Sequence, residues 1–173
     1  MRTAWHLARR FVQSLGPAEP RPDEEAFAAA VLLPGEAALW RRMGAPDRRH
    51  ALSVARRVQA RGAPYGSRRE VLAAALLHDV GKVEVEMGTW ARVAATLTSH
   101  ALGPGRVAGW SGRPGLAGRM GRYVSHGRIG AVLLTGAGSD PLTVAWAAQH
   151  HLDPDRWDVP REVGALLKAA DDD

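Results

Sequence analysis

Apolar residues recur along this chain at three- and four-residue spacing, broken by proline and glycine, as in a set of short amphipathic helices. Asp23 reads as the N-cap of a helix over 24–33, with acids in the first turn where they suit the helix dipole. Pro34-Gly35 stops it, and a shorter helix is predicted over 36–42. Pro46 suits the first turn of a helix reaching about residue 60, which Gly62-Ala63-Pro64 terminates. Ser67 and Glu70 have capping-box spacing ahead of the apolar run 71–77, and Thr89 reads as the cap of a helix through Ser99. Seven glycines and two prolines between Leu102 and Gly121 predict a loop. Helical periodicity resumes over 119–124 and 128–134; Asp140-Pro141 opens a helix through His150, and Pro160 opens the last one, ending near Ala170. No run alternates as a half-buried strand would. The predicted fold class is all-α, a single helical bundle over 23–173 with residues 1–22 as an N-terminal arm.

Composition narrows the function classes. A chain of 173 residues is long enough for one domain with a sizeable core, and without cysteine it has no disulfide framework, thiolate metal site or thiol nucleophile. The longest uninterrupted apolar run, 71–77, falls far short of the ~18 residues of a membrane span. Arg2, Arg9 and Arg10 flank a segment with neither a continuous apolar stretch nor a small-residue cleavage site, so it reads as mature protein, with the cytoplasm as the default expectation. The formal charge is +5, with 21 arginines against two lysines, and nine of those arginines lie between Arg41 and Arg69, opposed only by Asp47. Such a stretch attracts phosphate. It holds one aromatic, Tyr65, for base stacking, so it reads as a solvated helical face and disfavours nucleic acid as a partner.

The chemical signal is the placement of histidine and aspartate. Chance alone gives ~0.4 His-Asp pairs in a chain of this composition, so His78-Asp79 matters for its position. It closes a strongly apolar helix and is followed by Val80-Gly81-Lys82, and an ionised pair at the buried end of a helix needs a partner such as a divalent cation. His50 shares a helical face with Val54 and Val58, either as a satisfied core histidine or as a ligand. His126 precedes Gly130, which permits close backbone approach, and His150-His151 ends a helix. Asp171, or its neighbour Asp172, follows the last apolar helix, where an acid opposes the dipole unless a cation offsets it. The groups at 50, 78–79, 126, 150–151 and 171 are separated by 28, 47, 24 and 20 residues, so each would come from a different helix. Imidazole and carboxylate without thiolate suit Fe, Mn, Zn, Co or Ni, as one or two ions. His6 and His100 have no partner motif, six tryptophans suffice as core or rim anchors, and neither a nucleophile elbow nor a phosphate loop is present.

This order, and above all Leu76-Leu77-His78-Asp79-Val80-Gly81-Lys82, resembles the HD superfamily of metal-dependent phosphohydrolases over residues 47–172. Arg49-His50 with Val54-Ala55 is similar to the family's first-histidine helix, and Ala170-Asp171 to its terminal Ala-Asp. The resemblance implies one metal on His50, His78, Asp79 and Asp171. His126, His150 and His151 resemble the additional histidines of the dinuclear HD-GYP branch, in which the equivalent of Asp79 bridges to a second metal. Two departures stand against cyclic-dinucleotide hydrolysis: Leu152-Asp153-Pro154 occupies the stretch where Gly-Tyr-Pro would follow, and Pro46 stands where some members place a third-metal glutamate. Adjacent helical residues diverge by ~100°, so His150 and His151 share a metal only if the helix frays there. The implied activity is hydrolysis of a phosphomonoester or phosphodiester on a small phosphate-containing substrate, nucleotides included, with Asp79 and Lys82 as catalytic residues. The same order also fits HD-type di-iron oxygenases, which resemble myo-inositol oxygenase, and a non-enzymatic HD signalling or interaction module.

Overall fold

Helix α4 (Arg69–Leu77) has no polar face after its first turn: every residue from Val71 to Leu77 is buried, as a helix apolar on all sides must be. The rest of the fold encloses it. In the computed structural model, which describes residues 19–62, 64–85 and 87–173, α4 is preceded by α1 (Pro22–Val31), α2 (Pro34–Arg42) and α3 (Ala45–Arg61). A 3₁₀ turn, Val80–Glu84, follows, then α5 (Thr89–Leu102), α6 (Pro104–Ala108), α7 (Gly115–Val124), α8 (His126–Gly136) and α9 (Pro141–Gln149). A short 3₁₀ turn, Pro154–Arg156, leads into α10 (Arg161–Asp172). The chain is all-α, with no strand among the described residues. No helix among them is long and apolar enough to cross a membrane. Of the expected arm over 1–22, residues 1–18 lie outside the described residues.

Helices α3 and α9 pack on α4, α10 lies across α3, and α8 seats against α9 and the Val80–Glu84 turn. The apolar stripe of α3 (Leu52, Val54, Ala55, Val58) meets Leu76 and Leu77 of α4 and Trp146 of α9 in one core. Each fully buried leucine there contributes roughly 1.5–3 kcal/mol by leaving water. Glu36 is buried beneath this layer, its Oε2 accepting from the Leu33 N–H (2.8 Å) and from Arg69 Nη1 (3.2 Å), so one carboxylate ties the start of α2 to the start of α4. A second, smaller cluster of Val85, Met87, Ala95, Val107 and Met120 holds α5, α6 and α7 together beside the main core.

Several local expectations fail for identifiable reasons. The segment 102–121 is largely helical: Pro104 starts α6 from Gly103 (φ 87°), and α7 occupies 115–124. Two of its glycines serve packing, since a Cβ on Gly118 would lie 1.8 Å from the Arg113 carbonyl oxygen and one on Gly121 2.4 Å from Ser111 N. Asp140 caps α9 as expected, its side chain accepting from Leu142 N–H at 2.8 Å. Ser67 caps nothing; Arg68 is the N-cap residue of α4, and Glu70 pairs with Arg68 at 2.6 Å. Gly88 takes the cap position predicted for Thr89, and α1 starts two residues earlier than Asp23 would allow as its cap, with Arg21 as the N-cap residue.

Candidate metal centre

Three histidines reach the centre of the molecule by one local device. His78, His126 and His150 each sit just past the last turn of a helix (α4, α7 and α9), where the final carbonyls have no partner within the helix. Each ring turns back and donates its Nδ1–H to the carbonyl three residues earlier: Ala75 at 2.9 Å, Tyr123 at 2.6 Å and Ala147 at 3.0 Å. A carbonyl oxygen can only accept, so the proton sits on Nδ1 and the lone pair of each neutral ring lies on Nε2, facing inward.

Those inward nitrogens converge on Asp79. Its Oδ1 lies 3.0 Å from His126 Nε2 and 3.8 Å from His150 Nε2, while its Oδ2 lies 3.5 Å from His78 Nε2 and 2.5 Å from Lys82 Nζ. His50 Nε2, from α3, meets Asp171 Oδ1 of α10 at 2.9 Å, and that oxygen is 3.7 Å from His78 Nε2. Two donor groups result, His50–His78–Asp171 and Asp79–His126–His150–His151, each with its ligand-type atoms within 4.8 Å of one another. All the residues singled out from the sequence for metal binding are therefore brought together, with Lys82 at their edge. Asp171 faces the cluster, whereas Asp172 is exposed and pairs with Lys168. Helix α9 stops at Gln149, and that early stop lets the adjacent rings of His150 and His151 lie 3.9 Å apart, with His151 Nε2 3.3 Å from His126 Nε2. His100 lies exposed on α5, outside both groups.

The donor set fits a cation. His78 Nε2 and His150 Nε2 are buried and have no hydrogen-bond partner, a costly state for two lone pairs unless a positive charge meets them. Backbone carbonyls behind three of the rings orient them as second partners of ligating histidines do. Burial opposes charge on Asp79, yet the Lys82 ammonium and His78 outweigh it and hold the carboxyl well below its ordinary value. Burial likewise opposes protonation of His78, but the carboxylates of Asp79 and Asp171 prevail and raise it. His150 is pushed well below the usual histidine value by burial and by the neighbouring rings. His151 falls to about 3, by burial first and His126 second. The residue as a whole stays exposed, so this depression belongs to its inner Nε2 end. The two carboxylates thus favour the protonated His78 ring, whereas a divalent ion bound at Nε2 would favour the neutral one.

Two residues at the rim escaped the sequence reading. Asp47 stood out only as the lone acid among the arginines of 41–69, and Arg92 not at all. Arg92 Nη1 donates to both Asp47 oxygens at 2.9 and 3.2 Å, and Lys82 Nζ lies 3.8 Å from Asp47 Oδ1. Only the tertiary fold brings α3, α5 and the 3₁₀ turn together here. Most of the arginine-rich stretch is spent elsewhere: Arg42 pairs with Glu84, Arg48 with Glu19 and Glu25, and Arg61 with Asp173.

Comparison with known proteins agrees with this geometry. No curated protein and no solved structure matches the chain. The HD-domain family profile matches residues 48–172, which takes in every member of both donor groups. The chain belongs to the HD-domain family, a superfamily of metal-dependent phosphohydrolases.

Proposed function

We propose that this protein is a metal-dependent phosphohydrolase that cleaves a phosphomonoester or phosphodiester of a small molecule, nucleotides among them. The observation that carries the reading is the Asp79 carboxylate, which turns one oxygen toward each donor group. In this reading His50, His78, Asp79 and Asp171 would hold one ion and Asp79, His126, His150 and His151 a second, a donor set that suits Fe, Mn, Zn, Co or Ni. When bound, the ions supply positive charge that acidifies water and polarises a phosphoryl oxygen. The chain's own groups do the rest. Asp79, kept ionised by Lys82, accepts a hydrogen bond from the attacking water. Lys82 Nζ, beside Asp79 and 14 % exposed, offers its charge to the phosphate as negative charge develops on it. The absence of Gly-Tyr-Pro after His151 and of an acid at position 46 disfavours cyclic dinucleotides as substrates.

The test is elemental analysis of the purified protein, with phosphate release from a panel of mono- and diesters, for wild type and for the double variant His78→Ala/Asp79→Ala. Bound metal and turnover are both expected to vanish in the double variant. Full activity in that variant refutes the reading. Oxygen consumption without phosphate release would mark an oxygenase instead, and stoichiometric metal without turnover a binding module.

A further inference from the structure

Beyond the donor groups, one feature of the rim is built rather than incidental. Asp47 sits in the first turn of α3, 13 % exposed, and an acid there already suits the helix dipole. Its carboxylate nevertheless reaches away from α3 to two cations from other elements. Arg92, from the first turn of α5, brings one nitrogen to both oxygens and donates Nε–H to the Met87 carbonyl at 3.1 Å. Lys82, from the turn after His78-Asp79, approaches the same carboxylate at 3.8 Å while bonded to Asp79. The series Arg92–Asp47–Lys82–Asp79 therefore runs from the smaller apolar cluster, to which α5 belongs, into the candidate metal centre. The four groups alternate in sign, with the Asp47 carboxylate standing between the two cations.

We propose that Asp47 is a positioning residue that gathers Lys82 and Arg92 into a paired grip for the substrate's phosphate; the proposal rests on the hydrolase reading. Were Asp79 engaged by a metal, its hold on Lys82 would weaken, and Asp47 would keep the ammonium at the rim. Arg92, held at Nε by the Met87 carbonyl and at Nη1 by Asp47, has its Nη2 left to meet a phosphate oxygen.

The test compares wild type with Asp47→Asn, Asp47→Glu, Arg92→Ala and the double variant Asp47→Asn/Arg92→Ala, each loaded with Mn²⁺. Three quantities are read: metal per chain, affinity for inorganic phosphate by calorimetry, and kcat/KM on an aryl phosphate. Asp47→Asn is expected to keep the wild-type metal content while phosphate affinity and kcat/KM fall about tenfold, the scale of one charge-assisted hydrogen bond. Asp47→Glu recovers most of the loss, and the double variant is no worse than the poorer single one, because the two residues act as a unit. Unchanged phosphate affinity in Asp47→Asn, or single losses that multiply in the double variant, overturns the proposal. Metal content that falls with phosphate affinity overturns it too, by assigning Asp47 to the scaffold. A wild type that binds phosphate and turns over while Asp47→Asn matches it refutes this proposal alone. A wild type that neither binds phosphate nor hydrolyses the ester removes the hydrolase reading along with it.

Discussion

Gly81→Ala adds a single methyl group, yet the geometry makes it a severe change. The 3₁₀ turn carrying Gly81 is pressed against α8 so closely that a Cβ there would lie 1.9 Å from the His126 carbonyl oxygen and 2.6 Å from Gly130 N. Both obstacles are backbone, so no rotamer change relieves them. Ordinary contact begins near 3.4 Å, which requires the turn and α8 to separate by about 1.5 Å. Asp79 precedes that turn and His126 opens α8, and their 3.0 Å contact is one of the links between the two sides of the centre. Separation on that scale carries the pair beyond hydrogen-bond reach and spoils a shared metal geometry, where a misplacement of ~1 Å can cost ~10²-fold in rate. Overpacking should also cost ~1–3 kcal/mol of stability, a loss of roughly 2–4 °C in melting temperature per kcal/mol for a chain of this length. The assay is metal per chain, phosphate-ester hydrolysis and a thermal melt, with Gly105→Ala as control because a Cβ on Gly105 meets nothing within 4 Å. Wild-type metal content and an unchanged melt in Gly81→Ala would refute the reasoning.

Three further outcomes are expected. Chelation should lower the melting temperature, since an ion at 100 times its Kd stabilises the folded chain by ~2.7 kcal/mol, and a melt indifferent to chelator would contradict the donor-set assignment. The metal-free protein should lose stability as pH falls below 6.5, because the unfolded chain then takes up protons that folded His150 and His151 refuse. His78 acts in the opposite sense, stabilising the folded state below 6.5 and ceasing to do so as pH rises through its raised value; one such group against two leaves the acid loss in place. The depressed Asp79 adds to that loss as pH falls below 3.8, so urea midpoints should drop from pH 7.5 to 5.0 and drop again near pH 3. Glu36→Ala should cost ~1–3 kcal/mol by stripping the Leu33 N–H and Arg69 of their shared acceptor, with metal content unaffected.

Where the sequence was informative, the information was short-range and chemical. An apolar run closing in His78-Asp79 announces a buried helix with charge at its end, and Asp140-Pro141 announces a helix start, because both effects act within a few residues. The convergence of His50, His126, His150, His151 and Asp171 was visible only through the order of residue types and its family resemblance, since no local rule links positions up to 121 residues apart. The 102–121 segment departs from the expected loop because glycine, which signals freedom in a sequence, is needed at Gly118 and Gly121 for its small size. That requirement appears only when the Trp110–Arg113 turn is seen lying on α7. Asp47 and Arg92 lie 45 residues apart and escaped for the same reason: a single acid among arginines gives no hint of which cations it will select.

Four helices (α4, α7, α9 and α10) deliver their carboxyl ends to the cluster against one amino end, that of α8, and that imbalance has an electrostatic corollary. The carbonyl end of a helix carries roughly half a negative charge, so the backbone itself adds a fixed negative field around the ring nitrogens. Together with two aspartates, this field repels phosphate for as long as the cavity holds protons alone. The scaffold is thus polarised to admit positive ions first, and anions afterwards only through them. Phosphate affinity should therefore be absent from the demetallated protein and return with the ion, a dependence written into the direction in which α4, α7, α9 and α10 run.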